Sequence, residues 1–419
     1  MRATPSSPAP ADVLVVGAGP AALALACALA DAGLQVDVFE QQALAALEAP
    51  ADDGREIALT YRSRRLMTEL GLWSRLPAQA IAPLHEARVL DGDGRQQPLR
   101  FTPRPGTDGP LGWLVANRHI RAAAFAAASS RAQVRVHGGA QVASLHLDAQ
   151  RAGVRLADGR RFDAALVVAA DSRFSPTRRL AGIGASMRDF GRSVILACVE
   201  HERPHDGIAW ECFRYGNTLA LLPMSGQRSS VVLTVASDAA PEWLDLPDAE
   251  FAARVEAQAA HRLGRLALVG ARHHYPLVGV HAQRFVARRF ALIGDAAVGM
   301  HPVTAQGWNL GLHGVEALAR ELAAARRAGR DLGDPAALQA FERAHWRRTW
   351  PLYAGTNAVV SLFTDDRPLA RMARRLVMDA SEQMPLFSGL VKRFVARQLT
   401  EGGATRVREP RPTPRELLP

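Results

Sequence analysis

The chain has 419 residues, of which 48% are hydrophobic and 22% charged, an ordinary globular composition with room for two or three domains. The net charge of +10 comes from arginine, because Lys392 is the only lysine, and this argues against Schiff-base and P-loop chemistry, which need a placed lysine. The three cysteines, Cys27, Cys198 and Cys212, have no Cys-x-x-Cys spacing and indicate a reducing, cytoplasmic setting.

The first predicted elements form a βαβ unit between Asp12 and Glu40. The apolar run from Val13 predicts a buried parallel strand, residues 21–32 predict an Ala/Leu helix, and residues 35–40 predict the second strand. By length alone, the uncharged stretch 13–30 would also suit a membrane span or a signal peptide. The glycines at the strand-to-helix turn argue against both.

The turn Gly17-Ala-Gly19-Pro-Ala-Ala22 carries the chemistry of this unit. Gly17 makes the tight turn, Gly19 lets the backbone approach a pyrophosphate, and the small Ala22 permits close helix–strand packing. The phosphates would meet exposed N–H groups at the helix start, and Glu40 would accept hydrogen bonds from a ribose. The pattern does not separate NAD from FAD, and a glycine turn without a ligand is the alternative.

The middle of the chain predicts alternating short helices and strands. Two helices are predicted at residues 63–70 and 119–129. Four apolar runs predict strands, with Asp158-Gly159 as a hairpin turn between the last two, and these runs are residues 134–136, 143–147, 154–156 and 166–169. The stretch of about 187–275 predicts a separate β-rich layer.

A second candidate site follows the predicted strand 290–293 and precedes a long helix predicted at 311–328. Asp295 stands at the tip of that strand, where a carboxylate can bond a polyol chain. The helix start beside it, rich in free N–H groups, would stabilise the negative charge of a reduced isoalloxazine. A helix cap is the alternative role for Asp295.

At these residues the chain resembles the class A flavoprotein aromatic hydroxylases and, within them, the ubiquinone-biosynthesis hydroxylases. The similarity extends from about Asp12 to Phe394. Four segments carry it, namely Gly294-Asp-Ala-Ala to Leu312, Arg55-Glu-Ile-Ala to Trp73, Leu114-Val-Ala-Asn to Ala123, and Ala170-Asp-Ser-Arg to Arg178. Four residues depart from the pattern of the family and concern flavin contact and nicotinamide docking, namely Ser172, Val298, Ala305 and Gly314.

Motifs and resemblance together predict an α/β fold with a discontinuous Rossmann-like FAD-binding domain, a β-rich substrate domain and a C-terminal helical segment. The predicted ranges are 11–76, 112–185 and 285–350 for the FAD-binding domain, 77–111 and 186–284 for the substrate domain, 351–400 for the helical segment, and 1–10 and 402–419 for loose termini. The resemblance implies non-covalent FAD, NAD(P)H as co-substrate, and oxygen transfer from a C4a-hydroperoxyflavin to a phenol or quinol ring. The subgroup that it resembles hydroxylates several ring positions.

The predicted site has two parts. The catalytic part is the loop beside the flavin ring, with His301, Pro302 and Gly307, where His301 has either a packing or a functional role. The cofactor part comprises Gly17, Gly19, Ala22, Glu40, Arg55, Arg118, Asp171, Arg173, Asp295, Gly307 and Asn309, of which Arg55 is a cation near phosphate. No metal ligand is predicted.

Two other enzyme classes compete with this interpretation. A flavin-dependent reductase of polyprenyl lipids would use the same cofactor. A zinc hydrolase would use His201 and His205, which match the pattern His-Glu-x-x-His, but Pro204 breaks the helix that the pattern needs. The arginines are scattered and accompany no recognition motif, so no nucleic-acid partner is expected.

The stretch 385–399 predicts an amphipathic helix that packs on the protein or docks on a membrane. The apolar residues at helical spacing are Phe387, Leu390, Val391 and Phe394, and the basic ones near them are Lys392, Arg393 and Arg397. The resemblance implies a polyprenylated aromatic substrate that stays in the bilayer. We therefore expect peripheral contact with the inner membrane face, with other ubiquinone-biosynthesis proteins as further partners.

Overall fold

The computed structural model describes residues 10–91, 98–103, 109–213, 216–300 and 306–364. The predictions for His301, Pro302, the amphipathic stretch 385–399 and the tail 402–419 lie outside these residues. The expected C-terminal segment 351–400 is described only as far as Thr364.

Strands and helices alternate through the first half of the described chain, and a β-rich stretch follows. The strands are β1 (Val13–Val16), β2 (Val36–Phe39), β3 (Glu56–Leu59), β4 (Ala82–Leu84), β5 (Glu86–Asp91), β6 (Leu99–Phe101), β7 (Gly112–Ala116), β8 (Val134–His137), β9 (Val142–Leu147), β10 (Ala152–Leu156), β11 (Arg161–Ala164), β12 (Leu166–Ala169), β13 (Ala185–His201), β14 (Ile208–Phe213), β15 (Thr218–Pro223), β16 (Arg228–Ala236), β17 (Leu266–Ala282), β18 (Val286–Ala287), β19 (Phe290–Leu292) and β20 (Val298–Gly299). The helices are α1 (Pro20–Asp31), α2 (Leu44–Glu48), α3 (Tyr61–Glu69), α4 (Asn117–Ser129), α5 (Pro176–Leu180), α6 (Ala240–Leu244), α7 (Asp248–Gln258), α8 (Gly307–Arg327) and α9 (Pro335–Thr364).

A parallel sheet with the strand order β18-β19-β12-β1-β2-β8 forms the first layer, in which only β18 runs antiparallel. Strands β1 and β12 are apolar and buried at every position, as strands covered on both faces are. Helix α1 begins with Pro20, whose missing N–H costs nothing in a first turn. The core of this layer also contains apolar side chains of α4 and α8.

The second layer, called here the large sheet, has the strand order β20-β17-β13-β16-β15-β14-β5-β6. Its outer face packs against α6 and α7 through a buried apolar cluster that includes Ile195, Val231 and Phe251. Its inner face packs against the small sheet β3-β7-β4, where Ala209 and Leu114 belong to one apolar cluster. The protein therefore encloses an apolar layer between the large sheet and the small sheet.

The predicted hairpin around Asp158-Gly159 has a different second strand. Strand β10 pairs with β11, whereas β12 pairs in parallel with β1. Strand β11 alternates between exposed and half-buried positions, as a strand with one solvent-facing side does. Strand β12 is buried throughout, as a strand inside a parallel sheet is. The run 166–169 was therefore wrongly predicted as the hairpin partner.

Two helix boundaries also differ from prediction. Helix α8 begins at Gly307 rather than Gly311, so both glycines lie within the helix. Helix α9 continues through Pro351, so the expected domain boundary between residues 350 and 351 falls inside a helix. Among the described helices, none is long and apolar enough to cross a membrane.

Candidate functional site

The carboxyl ends of four adjacent parallel strands bring the predicted site residues to one edge of the sheet. Gly17 follows β1, Glu40 follows β2, Asp171 lies just after β12, and Asp295 lies just after β19. Neighbouring strands are about 4.8 Å apart, so these residues form one continuous row. Strand β1 continues through α1 to β2 on one side, whereas β12, reached much later in the chain, pairs on its other side. Open α/β sheets bind ligands at such a reversal of strand order.

The turn after β1 has the geometry of a pyrophosphate cradle. Gly17 has a φ of +97°, and a Cβ there would lie 2.7 Å from the carbonyl oxygen of Ala170. Gly19 has an ordinary φ of −66°, and a Cβ there would meet nothing within 4 Å. No side chain caps the start of α1, so its first N–H groups are open to an anion, while Ala22 is buried against the sheet.

Glu40 braces this turn. Its Oε2 accepts a hydrogen bond from the backbone N–H of Ala18 at 2.8 Å, and its Oε1 accepts one from Gln42 at 2.9 Å. Each carboxylate oxygen has a second lone pair, so Glu40 keeps the capacity to accept from a ribose hydroxyl. The same side chain can therefore hold the turn and recognise the sugar.

Asp295 and Arg173 form an ion pair at the other end of the row. Arg173 Nη2 lies 3.2 Å from Asp295 Oδ2, and Arg173 Nη1 donates to the carbonyl of Val278 at 3.0 Å. Asp295 lies in the short 3-10 turn Gly294–Ala296, which has no side-chain cap. Among the described residues, the Asp295 carboxylate accepts no capping hydrogen bond from a backbone N–H, and its side chain is 41% exposed.

Arg178, which the sequence did not single out, connects the two loops of this ion pair. Its buried guanidinium donates to the carbonyl of Arg173 at 3.1 Å and to that of Ala296 at 2.9 Å. Burial lowers the pKa of Arg178 from its ordinary value. Its position at the end of the segment from Ala170 to Arg178, which resembles the family, was the signal in the sequence that could have pointed to this role.

Asp171 uses its carboxylate within its own loop. It accepts hydrogen bonds from the Ser175 hydroxyl and from the backbone N–H of Thr177, the latter at 3.1 Å, at the start of α5. The loop is close to the first turn, since a Cβ at Gly17 would also lie 2.7 Å from the Asp171 Cα. Asp171 thus shapes the wall of the cradle through its backbone.

Arg55 and Arg118 lie beside one another in an acidic surrounding. Arg55 Nε donates to Asp53 Oδ2 at 3.0 Å, and Arg118 Nη1 lies 2.8 Å from Asp52 Oδ2. Burial acts to raise the pKa of Asp53, but Arg55 and the amide of Asn117 outweigh it and lower that pKa. Both side chains remain partly exposed, at 49% for Arg55 and 39% for Arg118, and each is held by an aspartate.

The start of α8 faces the same space. Asn309 is held in place, because its Nδ2 donates to the carbonyl of Ala58 at 2.9 Å and its Oδ1 accepts from the Ser63 hydroxyl at 2.6 Å. A Cβ at Gly307 would meet nothing within 4 Å. Asn309 therefore fixes α8 against the small sheet, and Gly307 leaves open space at the helix start.

The unusual Gly314 is explained by a histidine on α9. A Cβ at position 314 would lie 3.0 Å from the His345 ring, which occupies the space that a side chain would need. Burial lowers the pKa of His345 to about 3 and that of its stacked neighbour His313 to about 4. Both imidazoles are thus neutral at physiological pH.

The zinc alternative loses its basis in the structure. His201 ends a strand rather than lying in a helix, and its Nδ1 and Nε2 contact the carbonyl of Arg203 and the hydroxyl of Ser229. His205 Nε2 contacts the carbonyl of Met224 at 2.7 Å. Within the described ranges, no group of three metal-ligating side chains is found.

Comparison with known proteins decides the cofactor. Residues 10–346 match the family described as FAD binding domain. The chain belongs to this family. It is 42% identical over 393 residues to "Ubiquinone hydroxylase UbiM" of Neisseria meningitidis, covering 93% of this chain and 84% of the relative. It is 40% identical to "Ubiquinone hydroxylase UbiL" of Rhodospirillum rubrum, covering 92% and 89%.

Solved structures agree on the fold of this flavoprotein. The p-nitrophenol 4-monooxygenase PnpA from Pseudomonas putida superimposes with a TM-score of 0.73 at 19% identity, covering 93% of this chain and 98% of that one. The predicted α/β fold, the FAD cofactor and the class of FAD-dependent monooxygenase are confirmed. When bound, FAD supplies electron transfer and O₂ activation, and the residues that would hold it are those of the turn after β1, Glu40, and the cations described above.

We expect Arg173→Ala to slow reduction of the flavin by NAD(P)H about tenfold while FAD stays bound, because a charge that stabilises the anionic reduced ring would be lost. Stopped-flow absorbance measures the rate. Arg179→Ala is the matched control, since Arg179 lies on α5 and donates to the carbonyl of Phe174 away from Asp295. An unchanged reduction rate in Arg173→Ala would reject the assignment.

Proposed function

We propose that this FAD-dependent monooxygenase hydroxylates the ring of a polyprenylated ubiquinone precursor, with NAD(P)H as reductant and O₂ as the source of oxygen. The observation that carries the proposal is the similarity, over most of the chain, to two proteins named ubiquinone hydroxylases. A third relative, the "3-demethoxyubiquinol 3-hydroxylase" of Escherichia coli, is 27% identical and covers 92% of this chain.

The apolar layer between the large and small sheets supports an aromatic substrate with a hydrocarbon tail. Its walls include Leu84, Leu114 and Leu222, and it lies beside the loop that carries Arg55. Apolar walls orient a ring and exclude water, which protects a reactive oxygen species from side reactions. Such walls would hold the ring in position, and no metal is needed for that.

Quinone intermediates in a strain that lacks the gene test this proposal. We expect a precursor that lacks a ring hydroxyl to accumulate and to disappear when the wild-type gene is restored, as measured by mass spectrometry of lipid extracts. Restoration with a Gly19→Ala variant should leave the precursor in place. An unchanged quinone profile would contradict the proposal, and accumulation of lipids with unsaturated prenyl chains instead would favour the reductase alternative.

We also propose that the chain docks on anionic membrane surfaces through residues 385–399, whose sequence combines apolar residues at helical spacing with Lys392, Arg393 and Arg397. Each basic residue near anionic lipid contributes about 1 kcal/mol, so binding should weaken with salt. In liposome flotation, the wild type should float at low salt, and a variant with both Phe387→Ser and Phe394→Ser should not.

Leu44→Ser is the control for the flotation experiment, because Leu44 is an exposed apolar residue elsewhere on the surface. It should float like the wild type. Failure of the wild type to float would disprove docking, and flotation of the double phenylalanine variant would place the contact elsewhere.

A further inference from the structure

Glu211 lies on the inner face of the large sheet. In the strand register, Glu211 of β14 is opposite Ala220 in β15, Ala220 is opposite Val232 in β16, and Val232 is opposite Leu196 in β13. Cross-strand partners point to the same face, and successive residues point to opposite faces. Cys212, the next residue, belongs accordingly to the apolar cluster of the outer face.

Two neighbouring contacts show where Glu211 lies relative to the apolar layer and to the loop before Arg55. Ala209, two residues earlier on the same face, packs in one cluster with Leu114 of the small sheet. Leu196, at the other end of the row, touches the loop before Arg55, since a Cβ at Gly54 would lie 3.1 Å from the Leu196 Cβ. Three strand spacings separate Glu211 from Leu196, which is about 14 Å.

The carboxyl of Glu211 is without a partner among the described residues. It makes no hydrogen bond or ion pair with any residue in the ranges that the structure describes. Burial raises its pKa to about 7, yet the side chain keeps some accessible surface. The side chain is thus largely desolvated and still reaches accessible space, and its neighbours Ala209 and Ala220 are small. Buried polar groups in native proteins are nearly always hydrogen-bonded, and a bound ligand would supply the partner that the described residues do not.

We propose that Glu211 binds a ring hydroxyl of the aromatic substrate and acts as its base. The proposal rests on the proposed function and names the residue that recognises its substrate. In the bound state, the carboxylate of Glu211 accepts a hydrogen bond from the ring hydroxyl. As oxygen is transferred to the ring, the O–H bond of this hydroxyl breaks and a new O–H bond forms on the Glu211 carboxyl. The electron pair stays on the ring oxygen, which makes the ring richer in electrons for attack on an electrophilic oxygen.

The charged surroundings of Glu211 define its pH dependence. Burial is the cause of its raised pKa. Strand β5 beside β14 carries Glu86, which forms ion pairs with Arg88 and Arg100. The described residues that titrate or carry charge on the same face of the other strands, and on β3 opposite, include Glu56, Cys198, Glu200, Arg228, His273 and Tyr275. Because a base acts when deprotonated, the rate of hydroxylation should fall as the pH falls through about 7, the value to which burial raises this pKa.

The variant Glu211→Gln tests the proposal, because glutamine keeps the size of the side chain but cannot take a proton. With FAD-loaded enzyme and a short-chain prenylated phenol, we expect kcat for hydroxylation to fall about 100-fold, with loss of the acid limb of the pH profile. Flavin content and melting temperature should stay at the wild-type values. Glu200→Gln is the matched control, since Glu200 is exposed and pairs with Arg228 at the end of the same sheet.

A second probe makes the test independent of how the variant folds. The methyl ether of the same phenol has no proton to give, so the wild type should hydroxylate it about 100-fold more slowly. A wild type that hydroxylates both compounds equally fast, or a Glu211→Gln variant that keeps the rate and the acid limb, would overturn the role of Glu211. A wild type that hydroxylates neither compound would instead overturn the proposed function.

Discussion

Replacing Gly17 with alanine is expected to abolish FAD binding and to destabilise the apoprotein. The backbone at Gly17 has a φ of +97°, which an L side chain rarely adopts, and the new Cβ would lie 2.7 Å from backbone atoms of Ala170 and Asp171. A strained backbone of this kind costs about 1 to 3 kcal/mol, before the steric overlap is counted. Chemical denaturation of the apoprotein and titration with FAD measure the two effects.

Gly19→Ala is the matched variant, and we expect it to separate binding from stability. The φ of −66° suits any residue, and the added Cβ meets no protein atom within 4 Å, so the apoprotein should keep its stability. The same Cβ would fill the space above the helix start, where the pyrophosphate is expected to lie. Wild-type FAD affinity in Gly19→Ala would contradict the assignment of the cradle.

The second large effect on FAD binding is expected when either carboxylate at the edge of the parallel sheet, that of Asp295 or that of Glu40, is removed. Asp295→Ala and Glu40→Ala should each weaken FAD binding about 10- to 100-fold, because a hydrogen bond that involves a charged group contributes about 1.5 to 3 kcal/mol. The ion pair of Asp295 with Arg173 is partly exposed, and such pairs contribute about 1 kcal/mol or less to stability. Flavin fluorescence titration and urea denaturation of the same samples give the comparison.

Glu48→Ala is the control for this pair, since Glu48 is an exposed glutamate on α2, away from the row. Glu48→Ala should leave the affinity for FAD and the free energy of unfolding unchanged. If Asp295→Ala lowers the free energy of unfolding as much as that of FAD binding, its role is structural, and the polyol contact would have to be withdrawn.

The βαβ unit was predictable because its signals are local. The uninterrupted apolar run of β1, the glycines after it and the acid at the end of β2 lie within about thirty residues, and each has one main physical interpretation. Asp295 was likewise predictable as the tip of a buried strand. These residues form one row in the structure because parallel strands end at the same edge.

Features set by distant partners were not predictable. The orientation of Glu211 depends on the register of β14 with β15 and β5, and β5 lies more than a hundred residues earlier in the chain. Arg178 gains its role only when the turn after β19 comes within hydrogen-bond distance. Asn309 was predicted to bind the cofactor, a role that stays a prediction, and its contact with the carbonyl of Ala58 could not be read from the sequence.

Local signals also gave a wrong strand pairing after the turn at Asp158-Gly159, where two runs of residues could form the second strand. Asp158-Gly159 does mark a hairpin, but the weaker, amphipathic run at β11 takes the second strand, and the stronger apolar run at β12 joins the parallel sheet. The glycines at the start of α8 predicted a loop, because glycine is unfavourable inside helices. A Cβ at Gly311 would make only an ordinary contact, 3.7 Å from that of Ala21, so it is the packing of α8 on α1 that outweighs propensity there.

The most direct test of the account is the fate of isotopically heavy O₂. Purified protein loaded with FAD is given NADH or NADPH, a prenylated phenol precursor and the labelled gas, and the product is analysed by mass spectrometry. We expect one heavy oxygen atom in a new ring hydroxyl for each product molecule, and none when FAD is removed. A product without the label, or a product changed only in its prenyl chain, would contradict assignment of the chain as a ring hydroxylase.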